Sequence, residues 1–363
     1  MNFRLLFVFF CCAIAHGQRS EPKPFSLDAN FFYGNILLHN KDIAHLITGH
    51  PTGFVLSYNR RTYGLKPWEE RYNYPDYGAS FIYQDLKNQY LGENYSVYGH
   101  YNFYFLKRKL MVRIGQGLAI ASNPFDLEDN FQNNAYGTRL LSSTMFMLNY
   151  KQANIWDRVG LQTGITLVHY SNANVKSPNS STNTFAFNIG LNYQLDTEHF
   201  PDYIHREKTP YSEPVHFNLV LRGGINESDY IGLGQKGFAV FSTFADKKIN
   251  HKSTLQAGMD FFLSPFLREE IRYKSIAFPR SGVTGHEDWK RAGIFLGHEL
   301  RFNKNAFVTQ VGYYFYYDYD FEGRVYFRGG LKRYFTERIF ASITMKSHYA
   351  RAEAVEFGIG YRL

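Results

Sequence analysis

Hydrophobic and polar residues alternate along most of the chain with a period of two residues. The C-terminal segment is typical, because one of its faces carries glycine or charge and the other carries apolar residues, at Val355, Phe357, Ile359, Tyr361 and Leu363. Successive side chains of a β-strand point to opposite faces, so the pattern predicts strands, about sixteen of them when turn signals are included. Their centres are expected near Ala29, Leu56, Ser80, Tyr101, Gly115, Met145, Gly164, Ile189, Val220, Val240, Met259, Leu296, Gly312, Phe327, Ile343 and Ile359.

Composition narrows the fold that such strands form. The 363 residues are 44% hydrophobic and 18% aromatic. After the N-terminus, no run reaches the roughly 18 apolar residues of a membrane-spanning helix. Half-apolar strands rich in aromatic residues are typical of membrane barrels, whose outer face meets lipid. The sequence predicts an all-β fold, a transmembrane antiparallel β-barrel of about 16 strands within a range of roughly 12 to 16. Its length favours one large barrel over two soluble domains.

Residues 1–17 have the pattern of a signal peptide for export. Arg4 precedes an apolar run that ends at Ala15, and small residues follow. We therefore expect residues 18–363 to form the mature barrel, in the bacterial outer membrane. Both cysteines lie inside the signal, so the mature chain is expected to have no disulfide and no cysteine-ligated metal.

The positive charge of the chain bears on its partners. The formal net charge is +8 and the pI is near 9.1, yet the basic residues are scattered and no nucleic-acid-binding motif accompanies them. No nucleic acid partner is expected. For an exported barrel, the anionic phosphates of membrane lipids are the expected partners of this charge.

Loop lengths predict which end of the barrel faces outward. Bacterial barrels have short periplasmic turns and longer outer loops, and their N-terminus starts in the periplasm. On this basis the long outer connections are His39 to Thr52, Ser122 to Gly137, Asn172 to Thr182 and Ser264 to Trp289. One long connection, Asp196 to Pro214, falls on the periplasmic side, and the sequence leaves open whether it is a linker between two halves or a plug.

Three polar side chains fall on the apolar face of two consecutive strands. By the parity of the alternation, His169 and Ser171 continue the outward face of one strand, and Asn183 lies on the outward face of the next. All three are expected at the outer-loop end. Polar groups that face lipid cost free energy, although less near the interface than at mid-bilayer, so packing does not account for the trio.

These residue types are the components of a serine esterase. The imidazole of His169 is placed to accept the proton of the Ser171 hydroxyl, and Asn183 to hold that imidazole in the required tautomer. The loop that starts at Asn172 is placed to supply an oxyanion site, through its backbone amides or the Asn172 side chain. A His-x-Ser pattern alone has low specificity, and the alternative is that these residues merely begin an outer loop.

The segment that starts at His169 reads HYSNANVKSPNSSTN and resembles the active-site segment of the PagL-type lipid A 3-O-deacylase family. That family has His-x-Ser-Asn-Ala, then Lys-x-Pro-Asn, then an acidic residue where this chain has Asn183. The matching residues are His169, Ser171, Asn172, Ala173, Lys176, Pro178 and Asn179. The resemblance implies a Ser nucleophile, a His base and an oxyanion hole to which Asn172 and Asn179 contribute. Lys176 is expected to attract a substrate phosphate.

The same segment is similar to a second family, the outer-membrane phospholipase A enzymes. In those enzymes a triad Asn follows the Ser at the spacing of Ser171 and Asn183. They also carry an Arg beside their calcium site, at the position where this chain has Asn174. The Lys-x-Pro-Asn match therefore favours the deacylase, and the whole chain resembles the longer acyloxyacyl hydrolase relatives of that family.

The resulting hypothesis is an outer-membrane serine esterase that removes an ester-linked acyl chain from lipid A, or from another outer-leaflet lipid. It is expected to use a Ser-His-Asn site within residues 169–183 and no cofactor or metal. A phospholipase A is the alternative among enzymes, and a non-catalytic porin-like barrel is the alternative outside them. The sequence leaves open which ester is cleaved, the role of the second half and the oligomeric state.

Overall fold

A computed structural model describes residues 25–195, 202–207, 211, 213–349 and 351–363. The signal peptide expected at residues 1–17 lies outside the described residues. The strands are β1 (Phe25–Ile36), β2 (Thr52–Arg60), β3 (Asp76–Asp85), β4 (Glu93–Phe105), β5 (Leu110–Ala121), β6 (Leu140–Trp156), β7 (Val159–Ser171), β8 (Thr182–Gln194), β9 (Val215–Asn226), β10 (Lys236–Lys248), β11 (Ser253–Leu263), β12 (Arg291–Phe302), β13 (Asn305–Tyr317), β14 (Val325–Tyr334), β15 (Ile339–His348) and β16 (Arg351–Arg362). The helices are α1 (Pro67–Arg71), α2 (Phe266–Ala277) and 3-10 helices at Lys41–Leu46 and Pro279–Ser281.

The predicted strands are confirmed, since every expected centre falls within a different strand. The helices were not predicted, because they lie in connections, where a search for alternation finds no signal. Of the described helices, none has the length and apolar character needed to cross a membrane.

The strands close into two eight-stranded barrels. β8 pairs with β1, so strands β1 to β8 form a complete cycle, and β16 pairs with β9 to close the second cycle. The expectation of one large barrel is corrected on this point, while the strand count is right. Alternation assigns each side chain to a face of the sheet. The alternating pattern is the same whether β8 pairs with β1 or with β9, so it does not reveal which strands close a barrel.

The connection from Asp196 to Pro214 links the two barrels. Its described residues 202–207 pack against the connection between β2 and β3. There, the Ile204 backbone N–H donates to the Tyr63 carbonyl at 2.9 Å, and the Tyr74 hydroxyl donates to the Ile204 carbonyl at 3.1 Å. Because each barrel closes on its own, this connection is the linker that the sequence left as one of two alternatives.

Buried ion pairs fill the interior of each barrel. An eight-stranded barrel is just wide enough for side chains to fill. In the first barrel the buried Arg113 donates to Asp28 at 2.7 Å. In the second, Arg328 donates to Asp260 at 2.8 Å and to Glu356 at 2.5 Å. Arg328 is fully buried there.

The outer faces of both barrels are apolar. Phe187 is 70% exposed, Leu296 is 71% exposed and Ile359 is 62% exposed. Many charged and polar side chains point inward beside buried apolar clusters, whereas the outer faces are apolar, which is the reverse of a soluble domain.

The two barrels touch where the β2–β3 connection and strand β4 meet the end of β12. The Tyr72 hydroxyl donates to the Arg301 carbonyl at 3.0 Å. The rings of Tyr101 and Phe302 meet edge to face, with centroids 5.2 Å apart. A second set of contacts between the barrels lies at the other end and involves the loop between β7 and β8.

We predict that Arg328→Met destabilises the second barrel. The change leaves Asp260 and Glu356 buried with Arg222, 3.8 Å from each of them, as their remaining cation partner in the described contacts. Breaking a buried ion pair by removing one partner costs about 3–5 kcal/mol. The free energy of unfolding in urea, measured by circular dichroism of the folded protein, is expected to fall by about that amount.

The matched control is Arg333→Met on the same strand, β14. Arg333 is exposed and donates to Asn305 at 2.9 Å. A surface substitution of this kind changes stability by only about 0.5 kcal/mol. Equal losses in the two variants would contradict a stabilising role for the lumen pairs.

Candidate active site

His169 and Asn183 face each other on adjacent strands. β7 and β8 are antiparallel, and their register makes these two residues direct partners. Both side chains are half-buried on the outer face, whereas the adjacent Tyr170 and Thr182 point into the barrel and are fully buried.

A hydrogen bond between the two side chains sets the state of the imidazole. His169 Nδ1 lies 2.7 Å from Asn183 Oδ1. An amide oxygen only accepts hydrogen bonds, so Nδ1 carries the proton in this contact. The lone pair of the neutral ring is then on Nε2, which is the nitrogen free to act as a base.

Ser171 is the last residue of β7, on the same face as His169. Its hydroxyl donates to Asn179 Oδ1 at 3.0 Å and accepts the backbone N–H of Ala173 at 2.9 Å. Among the described contacts, this hydroxyl bonds to the following loop rather than to His169. The structure therefore joins His169 to Asn183 and Ser171 to Asn179.

The β7–β8 loop (172–181) is built around the Asn172 side chain. The Asn172 amide nitrogen donates to the Lys176 carbonyl at 2.5 Å and to the Pro178 carbonyl at 3.4 Å. The Asn172 amide nitrogen is therefore occupied by hydrogen bonds within its own loop. Ala173 and Asn174 have φ values of 57° and 60°, a left-handed conformation that is uncommon for residues other than glycine and is retained where the surrounding structure imposes it.

Asn179 offers a donor beside the Ser171 hydroxyl. Its Oδ1 accepts both the Ser171 hydroxyl and the Asn172 backbone N–H, the latter at 2.9 Å. Within the described part of the chain, its Nδ2 donates to no protein group. Lys176, at the tip of the loop, has an exposed side chain.

The connection between β5 and β6 supports the β7–β8 loop. The Gly137 N–H donates to the Pro178 carbonyl at 2.7 Å. A Cβ at Gly137 would lie 2.4 Å from the Lys176 carbonyl oxygen, so the close approach requires glycine. The Ser181 N–H donates to the Ala135 carbonyl at 3.2 Å.

Sequence reasoning missed two further residues that hold this loop. His39 Nε2 lies 3.1 Å from both the Ser180 carbonyl and the Ser181 hydroxyl. Glu227, in the second barrel, accepts the Ser177 N–H at 3.0 Å. Neither residue is close to His169 in the sequence or part of its motif, so no sequence signal pointed to them.

Asn174 stands where the phospholipase family carries Arg. Its side chain is 2% exposed and donates to the Glu227 carbonyl at 2.9 Å. Among the described residues, no group of three or more His, Cys, Asp or Glu side chains is arranged to hold a metal ion.

Comparisons with solved structures return bacterial porins. A triple mutant of the Rhodopseudomonas blastica porin is 11% identical, covers 93% of this chain and 100% of its own, and has a TM-score of 0.20. A second mutant of that porin is also 11% identical at the same coverage, with a TM-score of 0.21. TM-scores this low support no conclusion about the fold or the function. No curated protein matches the chain at the required significance.

Two family models match the chain, one on each barrel. The model described as lipid A 3-O-deacylase (PagL) matches residues 52–192, and the model described as acyloxyacyl hydrolase, C-terminal domain, matches residues 215–363. The two matches together extend over most of the chain and divide it at the linker between the barrels. The chain therefore belongs to the lipid A 3-O-deacylase (PagL) and acyloxyacyl hydrolase family of ester hydrolases.

Proposed function

We propose that this hydrolase removes an ester-linked acyl chain from lipid A with Ser171 as nucleophile, His169 as general base and Asn183 as the residue that orients the base. The observation that carries the proposal is the 2.7 Å contact between His169 Nδ1 and Asn183 Oδ1. This contact leaves Nε2, the basic nitrogen, on the side of the imidazole ring away from Asn183. His169 and Ser171 share one face of β7. A nucleophile, a base and a residue that orients the base are the three parts of a triad.

The reaction follows the acyl-transfer scheme of serine esterases. The Ser171 hydroxyl turns from Asn179 toward His169 Nε2, which accepts its proton as Oγ attacks the ester carbonyl. His169 then protonates the sugar oxygen that leaves, and an acyl group remains on Ser171. Nε2 then accepts a proton from a water molecule as that water attacks the acyl-enzyme, and His169 returns the proton to Ser171 Oγ as the fatty acid is released.

The negative charge on the carbonyl oxygen needs hydrogen-bond donors. Asn179, whose Oδ1 accepts the Ser171 hydroxyl, has an Nδ2 without a protein partner in the described residues, and the Ala173 N–H donates to that hydroxyl. Preorganised donors of this kind are worth about 2.7–4 kcal/mol each in serine hydrolases. We assign Asn172 the task of shaping the loop, because its amide nitrogen bonds to two loop carbonyls.

The outward position of His169 and Asn183 supports a lipid substrate, and the nearly buried Ser171, 3% exposed, ends the same face of β7. Phe185 and Phe187 continue the outer face of β8 beyond Asn183, so an acyl chain lying along this face would contact aromatic side chains. Outer-membrane barrels keep their longer loops on the cell surface. On that topology the site meets the outer leaflet, and Lys176 lies at the level of the lipid phosphates.

Two observations weigh against the alternatives. For phospholipase A, the position of the calcium-site Arg is held by Asn174, buried against the second barrel. For a porin-like channel, both interiors are filled by ion-paired side chains such as Arg113 and Arg328.

We predict that Ser171→Ala abolishes lipid A deacylation while the barrels remain folded. Loss of a serine nucleophile lowers kcat by a factor on the order of 10⁴ or more. The measurement is fatty-acid release from lipid A and from phosphatidylethanolamine in the same mixed micelles, followed by mass spectrometry. Deacylation at the wild-type rate would refute the assignment of Ser171, and release from phosphatidylethanolamine alone would favour phospholipase A.

We predict that Asn183→Ala is much less damaging than His169→Ala. In a serine protease triad, loss of the orienting residue costs roughly a hundredfold less than loss of the base. Asn183→Glu should keep or raise activity, because a carboxylate also accepts from Nδ1 and stabilises the imidazolium. A fully active Ala variant beside a folded but inactive Glu variant would show that Asn183 is a bystander.

We predict that the β5–β6 connection is on the cell surface and the β12–β13 turn is periplasmic. Cysteine occurs only at positions 11 and 12, so single new cysteines can be tested. Leu127, 71% exposed, should react as Leu127→Cys with an impermeant thiol reagent on intact cells, and Lys304→Cys should react only after lysis. The reverse pattern would place the trio at the inner leaflet and count against lipid A as substrate.

A further inference from the structure

We propose that the second barrel positions the catalytic loop of the first, and that Glu227 is the positioning residue. This inference rests on the proposed function of Ser171. It concerns the contact between the β7–β8 loop (172–181) and the β9–β10 loop (227–235), which belong to different barrels.

The two loops exchange backbone and side-chain hydrogen bonds. The Glu227 N–H donates to the Asn174 carbonyl at 3.1 Å, and Asn174 Nδ2 returns a bond to the Glu227 carbonyl at 2.9 Å. The Ser177 hydroxyl donates to the Ser228 carbonyl. Gln235 Nε2 donates to the Val175 carbonyl at 2.9 Å. Most of the β7–β8 loop between Asn174 and Ser177 is therefore held by the second barrel.

The Glu227 carboxylate joins both loops. One oxygen accepts the Ser177 N–H at 3.0 Å and the other accepts the Gly234 N–H at 3.0 Å. Glu227 is 5% exposed and Ser177 is 1% exposed, so the contact is shielded from water. A carboxylate acceptor makes stronger hydrogen bonds than a neutral one, and more so where water is excluded.

The β9–β10 loop is in turn anchored in its own barrel. The Ser228 hydroxyl donates to Glu270 on α2 at 2.7 Å, and the Tyr319 hydroxyl donates to the other Glu270 oxygen at 2.7 Å. Burial, and then the bond to Glu270, raise the pKa of Tyr319, which keeps this phenol a donor. Glu227 thus acts from a rigid support.

The position that Glu227 holds matters for the chemistry. Ser177 lies between Lys176 and Pro178, whose carbonyls accept the Asn172 amide nitrogen, and Asn179 follows directly. Fixing Ser177 therefore fixes the segment that presents Asn179 to the Ser171 hydroxyl. Misplacement of a positioning group by about 1 Å costs on the order of 10²-fold in rate.

The test compares Glu227→Ala with Glu269→Ala in the full-length chain. Among the described contacts, Glu269 on α2 forms only half-exposed ion pairs, with Lys236 and Arg268. Its replacement therefore removes one carboxylate from the same region as a matched control. We expect Glu227→Ala to lower kcat for lipid A by about 10- to 100-fold with KM within twofold, because Glu227 does not touch the lipid. Glu269→Ala should keep wild-type kcat. Glu227→Gln, which retains one acceptor oxygen, should fall between wild type and Glu227→Ala.

A second measurement follows the loop without using activity. The exposed Lys176 is a trypsin site, and cleavage there gives a fragment that begins at Ser177. We expect this fragment to appear faster in Glu227→Ala than in wild type, while circular dichroism shows both barrels folded. If Glu227→Ala does not fold, Gln235→Ala, which removes only the bond to the Val175 carbonyl, replaces it with the same two readouts.

The outcomes separate the two proposals. Wild-type kcat and unchanged trypsin cleavage in a folded Glu227→Ala protein would overturn the positioning role, even with Ser171→Ala inactive. Full activity of Ser171→Ala would instead overturn the proposed function, whatever the trypsin result. Faster cleavage after Lys176 together with lower kcat at constant KM would establish the positioning role.

Discussion

Closure of a sheet after eight strands is the constraint on which the rest of this molecule depends. A barrel of that size has no internal space beyond what its own side chains occupy, and here Arg113 and Arg328 with their carboxylates occupy it. A substrate-sized site therefore has to lie on the outer face or among the loops. The trio His169, Ser171 and Asn183 lies at the junction of both, where β7 ends and its loop begins.

The residues of the candidate site divide into a strand part and a loop part. The register of β7 and β8 alone brings His169 to Asn183, so this contact is as rigid as the barrel. Ser171 and Asn179 depend on a loop with left-handed residues and on neighbours from three other connections, through His39, Gly137 and Glu227. An antiparallel ladder fixes one half of the geometry, and tertiary contacts with many elements fix the other.

The same division explains which features of the structure could be predicted from the sequence. Alternation predicted the strands and the outward face of His169 and Asn183, because side-chain parity in a strand is a local property. It did not predict that β8 would close on β1, since alternation does not identify the pairing partner. Nor could it predict that Asn172 bonds to its own loop, or that Glu227 reaches Ser177 from the second barrel, because both contacts depend on tertiary folding. The family models align with the two barrels. Strand parity alone singled out His169, Ser171 and Asn183, and the resemblance to that family added the loop residues such as Asn179.

Under the proposed function, the outward face of β7 and β8 has a consequence for the kinetics with which enzyme and lipid meet. A site on the rim of a barrel meets a membrane lipid by lateral diffusion within one leaflet, so the relevant quantity is the number of substrate molecules per unit area. Saturation is then governed by the mole fraction of the lipid among its neighbours, and diluting the membranes in buffer leaves the rate per enzyme unchanged. Two enzymes of this kind with identical chemistry would therefore differ in their rate of deacylation if the membrane of one contained a lower mole fraction of the substrate lipid.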